Sequence, residues 1–445
     1  MTDSSDCVRT ADSPSKLIPA SPEENLIFQI HEEFDGDAIA SVVARVRGCI
    51  EEGPLRIALS RLQLRHPKLR SRIVSKEGRH FYDVLVEPPT IPIEIKEFET
   101  ADLPWQAEMN RGIHMKLDFS TGRIARAIVL RNRSLQFCDF ILVMTHAVAD
   151  GASTFAVLDD VFSFYEEAEK GGYLPPVISL PLVIGSRAAV SGSWMQRLSL
   201  LARMAWKWRG GTNARWLVLP RSQQTPEVPL VIRHVFDEKE TSAIARRCRE
   251  EQTTMLGALY AAAVFALADL VPDPKPRIRT RVPIDVRRSV INAAGPVSSH
   301  DLGCFISGYK RPLTIDRQQP FWELARKILA ELITFAAAGG PEILFNMVRF
   351  ARTSMFKRKS RRDTLAVNLV ARTGFRPRYG SLSVEACSTL PKGDHLGPSL
   401  FVMGIVVNGR FCVNVLAARE SGEFWQRFHE ALARRLHEIA AQPST

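Results

Sequence analysis

The fold of this chain is decided by residues 137–151, which read FCDFILVMTHAVADG. The first eight, Phe137 to Met144, are apolar enough to form a central strand that is buried on both faces. The segment from Ala152 to Glu169 then places apolar residues at helical spacing, namely Phe155, Leu158, Val161, Phe162 and Tyr165. The sequence therefore predicts a strand, a short turn and a helix.

His146 stands where the predicted strand ends, and Asp150 and Gly151 follow it. A strand end holds a side chain in a fixed position, and a neutral imidazole with a pKa of about 6.5 accepts a proton from a hydroxyl or an amine at neutral pH. Asp150 is expected to brace the turn or to orient the imidazole, and Gly151 to permit backbone angles that other residues resist. The structural alternative is a half-buried histidine that ends the strand, with Asp150 as the N-cap of the helix. These residues alone leave the two interpretations evenly matched.

The whole chain has 445 residues, of which 45% are hydrophobic and 24% are charged. This length suggests two domains, and this composition excludes a disordered, collagen-like or low-complexity protein. Lys and Arg total 59 against 48 Asp and Glu, which gives a formal net charge of +11. Such a surplus favours an acidic partner: a nucleic acid, an anionic membrane surface, a polyphosphate ligand or an acidic protein.

The seven cysteines are scattered and include no Cys-x-x-Cys pair. They argue against a disulfide framework and a structural zinc site, and they fit a reducing compartment. The first 20 residues lack a secretory signal pattern, and no run reaches the roughly 18 apolar residues that span a bilayer. A cytoplasmic location is therefore expected, with peripheral contact at a membrane surface as a further option.

Shifts in composition predict four segments along the chain. Residues 1–19 form a disordered leader, 20–175 an N-terminal lobe that carries His146, 176–228 a linker and 229–445 a C-terminal lobe. In the first lobe, apolar spacing predicts one helix from Ala38 to Arg65, which His66-Pro67 ends. Each lobe mixes strands with helices, so the predicted fold class is mixed α/β (α+β).

Two basic segments carry aromatic or apolar residues between their charges. Residues 194–216 hold four of the seven tryptophans, and residues 342–362 combine apolar and basic side chains. Basic amphipathic helices with interfacial aromatics are typical of membrane-surface docking, and they also suit delivery of an apolar substrate or binding of an acidic carrier protein. The alternative is that their apolar faces pack on the lobes and their charges are solvated. Nucleic-acid binding is the weakest option, because no recognition motif accompanies the charge.

Five motifs in chain order carry a family resemblance. They are Ala58-Leu59-x-x-Leu62 with Arg65-His66-Pro67-Lys68-Leu69-Arg70, Lys116-Leu117-Asp118-Phe119 with Arg126, His146-x-x-x-Asp150-Gly151, Arg281-Val282-Pro283-Ile284-Asp285-Val286-Arg287, and Asp301-Leu302-Gly303-Cys304-Phe305. Together they resemble the motifs of the CoA-dependent acyltransferase superfamily. That superfamily includes chloramphenicol acetyltransferase, plant-type alcohol acyltransferases, peptide-synthetase condensation domains and polyketide-associated acyltransferases. The resemblance runs from residue 20 or so to the C-terminus.

Two differences from other members narrow the resemblance to one branch of the superfamily. Condensation domains usually show two adjacent histidines, and Thr145 stands where the first would be. The Asp-Phe-Gly-Trp-Gly element of plant alcohol acyltransferases is absent. The resemblance therefore favours the bacterial lipid- and polyketide-acyltransferase branch, whose members are monomers with two lobes around a tunnel and need no metal.

The resemblance implies two chloramphenicol-acetyltransferase-like lobes, each a mixed sheet with helices, that form a tunnel at their interface. It implies that His146 is the general base in a direct transfer of an acyl group from a thioester to a small-molecule or lipid hydroxyl. The thioester would be an acyl-CoA or would be carried by the phosphopantetheine of an acidic acyl or peptidyl carrier protein. No permanently bound cofactor and no metal are expected, and the reaction would serve lipid or secondary-metabolite biosynthesis.

The resemblance further implies that Asp150 is structural and pairs with an arginine from elsewhere in the fold. Arg287 is the first candidate and Arg281 the second, and both could equally be surface charges. Asn368, a polar residue within an apolar run, is a candidate oxyanion donor, with an ordinary turn residue as the alternative. The sequence does not define the residues that bind the thioester.

Two other functions stay open. One is amide formation on an amine acceptor, against which Thr145 counts mildly. The other is a non-catalytic docking module of a synthase or of a membrane surface. The intact His146 motif argues against this module, whereas the two basic segments keep it open.

Overall fold

A computed structural model describes residues 17–442, apart from 101, 186, 191–192, 196, 200–201, 203–215, 218, 220–230, 293–294, 352–362, 375, 393–397 and 418–421. The strands are, in chain order, β1 (Ile18–Pro19), β2 (Ile39–Arg47), β3 (Ser71–Lys76), β4 (Arg79–Val84), β5 (Ile93–Glu97), β6 (Ala125–Asn132), β7 (Phe137–Thr145), β8 (Arg187–Ala188), β9 (Val231–Phe236), β10 (Arg277–Asp285), β11 (Val290–Ile291), β12 (Ile306–Thr314), β13 (Leu365–Val370), β14 (Arg378–Tyr379), β15 (Leu382–Lys392), β16 (Leu400–Val407) and β17 (Arg410–Ala417). The helices are α1 (Pro22–Glu33), α2 (Glu52–Arg65), α3 (Trp105–His114), α4 (Gly151–Lys170), α5 (Glu238–Glu250), α6 (Met255–Leu270), α7 (Phe321–Ala337), α8 (Gly340–Met347) and α9 (Gly422–Ala441).

The first sheet has six strands in the order β14-β15-β2-β7-β6-β5. Strand β7 pairs antiparallel with β2 on one side and with β6 on the other. Every residue of β7 from Cys138 to Thr145 is buried, which confirms the predicted central strand. Helix α4 follows as the apolar spacing predicted, and it packs against α2. The turn that carries His146 therefore lies at the end of a buried strand.

The predicted single helix from Ala38 to Arg65 is wrong. Residues Ile39–Arg47 form β2, and only Glu52–Arg65 are helical, as α2. Strand β2 lies between β7 and β15, and its β-branched valines suit a position that is buried on both faces. Because such a strand is apolar at nearly every position, its sequence also satisfies helical spacing.

The predicted leader lies mostly outside the described residues, which begin at residue 17. Its last two residues, Ile18 and Pro19, pair with β4 as strand β1. Helix α1 then begins at Pro22, where Ser21 and Glu24 form a reciprocal capping box. This helix was not predicted, although its start signal stands in the sequence as Ser-Pro-Glu-Glu.

The second sheet also has six strands, in the order β12-β10-β13-β16-β17-β9. The pairs β10–β13 and β13–β16 are parallel, and the other pairs are antiparallel. Helix α6 packs on α7, α9 and β13, and every residue from Gly257 to Ala268 is buried. One apolar cluster centres on the first sheet and also takes in residues of β9, β16 and β17, and a second lies between the second sheet and its helices. The chain therefore has the two-lobed mixed α/β fold that the sequence predicted.

The two lobes are interleaved by a crossing of the chain. Residues 229–445 were predicted to form the C-terminal lobe, but β14 and β15 lie in the first sheet. Strand β15 pairs antiparallel with β2, with Lys392 opposite Ile39, before the chain returns to the second sheet as β16. The boundary at residue 229 therefore describes chain order and not sheet membership.

The predicted linker and the two basic segments lie partly outside the described residues. Within 194–216, the Trp194 side chain is exposed, and the Arg279 guanidinium lies 4.4 Å from the centroid of the Trp216 ring. Within 342–362, only residues 342–351 are described, and Phe345 of α8 is fully buried. The roles predicted for these segments stay predictions.

Among the described residues, no single helix combines the length and the apolar content needed to cross a bilayer. Two pairs of consecutive helices, α5 with α6 and α7 with Gly340–Phe350, have the required length and apolar content when each pair is taken together. Each pair is sharply bent at the break between its helices.

Candidate active site

The turn after β7 holds His146 through its backbone. The His146 N–H donates to the Ala38 carbonyl at 3.0 Å, and the Ala147 N–H donates to Thr145 Oγ1 at 3.3 Å. Ala147 and Val148 are fully buried, whereas His146 is partly exposed. The imidazole is therefore the part of a rigid turn that a substrate can reach.

The protonation state of His146 follows from its surroundings. Its Nδ1 is buried and has no hydrogen-bond partner within the described part of the chain. Burial lowers the pKa of the imidazole, and hydrogen bonding to its own backbone and the Asp150 charge offset this only in part. The imidazole is therefore neutral at pH 7 and able to accept a proton.

Asp150 is the N-cap of α4 and is saturated with hydrogen-bond donors. Its Oδ1 accepts from the Ser153 N–H at 2.8 Å and from Arg287 at 3.0 Å, and its Oδ2 accepts from the Phe305 N–H at 3.0 Å. Burial alone would raise the pKa of this carboxyl, but the Arg287 charge and the two N–H donors lower it overall. Among the described contacts Asp150 donates nothing to and accepts nothing from the His146 ring, so it braces the turn.

Arg287 brings the second lobe to this turn. It follows β10, and besides Asp150 its Nη2 donates to Ser153 Oγ at 3.0 Å, while its Nη1 donates to Asp285 at 2.9 Å. The Arg287 side chain is only 5% exposed. The second candidate, Arg281, instead pairs with Asp363 at 2.6 Å. The structure therefore brings Arg287, and not Arg281, to the motif aspartate.

A loop before β12 completes the pocket around Asp150. The Gly303 carbonyl accepts from the Asp150 N–H at 3.1 Å and from Ser153 Oγ at 3.2 Å. A Cβ at Gly303 would lie 2.5 Å from a ring carbon of Phe305, so only glycine fits between them. The sequence had indicated this loop only by resemblance, as Asp301 to Phe305, without assigning it these contacts.

The Arg65-His66-Pro67-Lys68 motif holds the same region from the other side. His66 Nε2 donates to Asp160 of α4 at 2.7 Å, and Arg65 Nε donates to the same carboxylate at 3.0 Å. Lys68 Nζ pairs with Glu24 and donates to the Leu302 carbonyl at 2.9 Å. This motif therefore fixes α4 and the Gly303 loop relative to each other, a role that the sequence had not assigned.

The expectation that Gly151 supplies backbone angles that other residues resist is wrong. Its backbone does not adopt a positive φ, so the position does not need the conformational freedom of glycine. A Cβ at Gly151 would meet no atom within 4 Å. The first residue of α4 therefore borders open space on the same turn as His146.

Asn368 does not join the cluster described so far. It lies within β13 of the second sheet, opposite Met403 of β16, and its Oδ1 accepts from the Leu369 N–H at 2.9 Å. It is half-buried and in a strand, not at a turn. Its proposed role as an oxyanion donor stays a prediction.

Near α4, one group of described residues consists of side chains that commonly bind metal ions. Asp159, Asp160 and His300 place ligand-type atoms within 4.8 Å of one another. Both carboxylates already accept hydrogen bonds from the protein, Asp159 from Tyr379 and Asp160 from His66. Because these carboxylates already have hydrogen-bond donors within the protein, we assign no metal to this group.

The comparison with protein families covers nearly the whole chain. The sequence profile of the family described as "Condensation domain" matches residues 23–445. One of the linear gramicidin synthase proteins of Brevibacillus parabrevis is 26% identical over 231 residues, which is 49% of this chain and 3% of that relative. The chain thus spans a small part of the length of the curated relative that it matches.

Solved structures share the two-lobed fold at low identity. The first condensation domain of the CDA synthetase aligns with a TM-score of 0.69 and 14% identity, covering 97% of this chain and 98% of that one. TRI3 trichothecene 15-O-acetyltransferase from Fusarium sporotrichioides aligns with a TM-score of 0.68 and 11% identity, covering 95% of each. At such identities the likeness is one of fold.

Proposed function

The chain belongs to the condensation-domain family, within the CoA-dependent acyltransferase superfamily, and from this premise we propose that it transfers an acyl group from a thioester to an acceptor hydroxyl. His146 is the proposed general base. The observation that carries the proposal is the neutral, partly exposed imidazole at the end of β7, on a turn that Asp150 and Arg287 brace.

In the proposed reaction, His146 takes the proton of the acceptor hydroxyl while the hydroxyl oxygen attacks the thioester carbonyl. The C–S bond then breaks, an ester forms, and the imidazolium returns the proton to the leaving thiolate. No acyl-enzyme is needed, because the two lobes hold donor and acceptor together and exclude water. Burial raises the pKa of the neighbouring Cys304 thiol, so this cysteine stays protonated and is a poor alternative nucleophile.

The proposed donor is an acyl-CoA or an acyl group on the phosphopantetheine of an acidic carrier protein. Both carry phosphate, and the net charge of +11 favours an anionic partner. Donor and acceptor would enter a tunnel between the lobes from opposite faces. The proposed acceptor is a small-molecule or lipid alcohol of lipid or secondary-metabolite biosynthesis.

Amide formation is the second candidate, because a gramicidin synthase and a synthetase condensation domain are among the similar proteins. The O-acetyltransferase of the same fold supports a hydroxyl acceptor instead. His146 does not separate the two reactions, since the same base would deprotonate an amine. Thr145, at the position of the first histidine of condensation domains, counts mildly against an amine acceptor.

Release of free thiol from acyl-CoA thioesters of increasing chain length tests the proposal. With alcohols and amines supplied in separate pools, we expect acceptor-dependent release in the alcohol pool. His146→Ala should lower the rate by roughly 10²–10⁴-fold, the usual range for loss of a general base. His114→Ala is the matched control, because that histidine is exposed on α3, where its Nδ1 donates to the Asn110 carbonyl of the same helix at 2.8 Å.

The outcomes separate the candidates. Thiol release that is unchanged in His146→Ala contradicts the proposed base, and release only with amines favours amide formation. Thiol release only from carrier-bound thioesters identifies the donor as a carrier protein. If the folded protein releases thiol from neither acyl-CoA nor carrier-bound thioesters, the docking module is favoured.

The pH profile is a second readout of His146. Because the pKa of this imidazole lies below its ordinary value of 6.5, kcat/KM should be flat around pH 7. It should fall only as the pH drops below 6.5, where the base becomes protonated. A profile that rises through pH 8 would point to another base.

A further inference from the structure

Three histidines from distant parts of the second lobe meet at its surface. His234 on β9 and His437 on α9 place their Nε2 atoms 2.9 Å apart. The ring centroid of His429, also on α9, lies 5.9 Å from that of His234. His429 Nε2 is buried and has no hydrogen-bond partner among the described residues.

Glu240 of α5 sets the tautomer of His437. His437 Nδ1 lies 2.9 Å from Glu240 Oε1, so the ring proton sits on Nδ1 and donates to the carboxylate. The lone pair of His437 Nε2 is thereby directed at His234. A carboxylate behind a histidine is the usual second partner of a metal-bound imidazole, because it fixes the ring and raises its basicity.

The distances suit a tetrahedral ion of the zinc class. Two imidazole nitrogens bound at 2.0–2.1 Å to one tetrahedral ion lie about 3.3 Å apart. The His234 and His437 nitrogens are within a few tenths of an ångström of that separation. Because the two Nε2 atoms face each other across a hydrogen bond, both rings must turn toward a shared ion, and His429 must rotate toward the pair to become the third ligand.

The cluster is open to an ion in solution. The His437 side chain is 45% exposed, so an ion reaches the cluster directly from solvent.

We propose that His234, His429 and His437 bind a divalent transition-metal ion of the zinc class, with Glu240 as the carboxylate that orients His437. Imidazole donors select zinc, copper or nickel over magnesium or calcium. Such an ion would tie β9, the outer strand of the second sheet, to α9 and, through Glu240, to α5. The site is independent of the acyl transfer proposed for His146, and its effect would be on stability.

The sequence did not predict this site, and no metal had been expected. His234 and His437 are 203 positions apart, so they form no short ligand motif. The cluster exists only because β9 and α9 pack side by side in the folded lobe.

Titration of the chelator-treated, untagged chain with Co²⁺ and Zn²⁺ tests the proposal. We expect one ion per chain, the visible absorption of four-coordinate Co²⁺ and a Zn²⁺-dependent rise in Tm. His234→Gln and His437→Gln should each weaken binding by 100-fold or more, and His429→Ala should weaken it measurably. Glu240→Gln should weaken it about 10- to 100-fold, as loss of a supporting carboxylate does. His114→Ala is the control and should bind as the wild type does.

Two outcomes would overturn the proposal. One is less than one Zn²⁺ per chain at saturation, and the other is wild-type affinity in both His234→Gln and His437→Gln, which would leave an ordinary hydrogen bond between two imidazoles. Far-UV circular dichroism of each variant without metal guards against loss of fold. Wild-type affinity in His429→Ala would remove that residue from the ligand set.

Discussion

Asp150 and Glu23 are both carboxylates shut away from solvent, with 1% and 5% exposure, but their surroundings differ. Asp150 accepts two backbone hydrogen bonds and pairs with Arg287, and its pKa is lowered. Glu23, in the first turn of α1, has an Oε2 without a hydrogen-bond partner among the described residues. Burial and the adjacent Glu24 raise its pKa to about 8.

The difference shows what a buried negative charge requires. Around Asp150 the first lobe supplies the Ser153 N–H, the second supplies Arg287 and the Phe305 N–H, and the charge is stable. Around Glu23 the donors are its own N–H and the Ser21 side chain, and these and the Arg349 charge do not offset burial and the Glu24 charge, so the carboxyl takes up a proton instead. The motif aspartate thus depends on both lobes, and the turn that carries His146 depends on the aspartate.

The largest change in stability is expected from Arg287→Ala. It leaves the buried Asp150 carboxylate without its cation, and breaking a buried pair in this way costs about 3–5 kcal/mol. The adjacent Arg288 is exposed and serves as the control in Arg288→Ala. The free energy of unfolding, measured with urea, should fall clearly for the first variant and little for the second. Equal losses would mean that Asp150 does not depend on Arg287.

Glu23→Gln is expected to stabilise the protein, and more so at higher pH. The pKa of Glu23 is about 8 in the folded state against an ordinary value of 4.5. Between these two pH values the folded state therefore holds a proton that the unfolded state has lost. Below pH 4.5 both states are protonated and the group has no effect. Between pH 4.5 and 8 rising pH favours unfolding, and glutamine removes this penalty of roughly a few kcal/mol.

The measurement is Tm of wild type and Glu23→Gln at several values from pH 5 to pH 8. The gain in Tm should grow with pH, whereas a surface control, Glu87→Gln, should show no trend. A constant gain, or a loss at pH 8, would contradict a raised pKa for Glu23.

Two glycines near Asp150 provide the smallest effects and test how tightly its pocket is built. Gly303→Ala places a Cβ 2.5 Å from the Phe305 ring and should cost about 1–3 kcal/mol, because the Phe305 N–H that holds Asp150 must shift. Gly151→Ala meets open space and should change stability by about 0.5 kcal/mol or less. Chemical denaturation compares the two variants, and equal effects would argue against close packing at Gly303.

The parts of the site that the sequence predicted are those set by chain neighbours. The strand, turn and helix around His146 follow from local apolar patterns, and Asp150 is the N-cap that its type and position suggest. Arg287 lies 137 positions from Asp150, and only a family resemblance nominated it.

The parts that the sequence did not predict depend on distant pairing. The apolar residues of strand β2 fit a helix as well as a strand, and its partners β7 and β15 decide between the two. The place of β15 in the first sheet, and the meeting of His234 with His437, cannot be expressed as a spacing along the chain.

The crossing of β15 into the first sheet imposes an order of events during synthesis. Ser41 on β2 donates to the Leu390 carbonyl on β15, across 349 positions of chain. Until β15 leaves the ribosome, the outer edge of β2 has no partner, and an apolar strand with a free edge is a template for pairing with other chains. A chain stopped after the first lobe is therefore expected to aggregate, and the two halves expressed apart are not expected to dock. The turn that carries His146 is synthesised well before β15, so its sheet is closed only after most strands of the second sheet have been made.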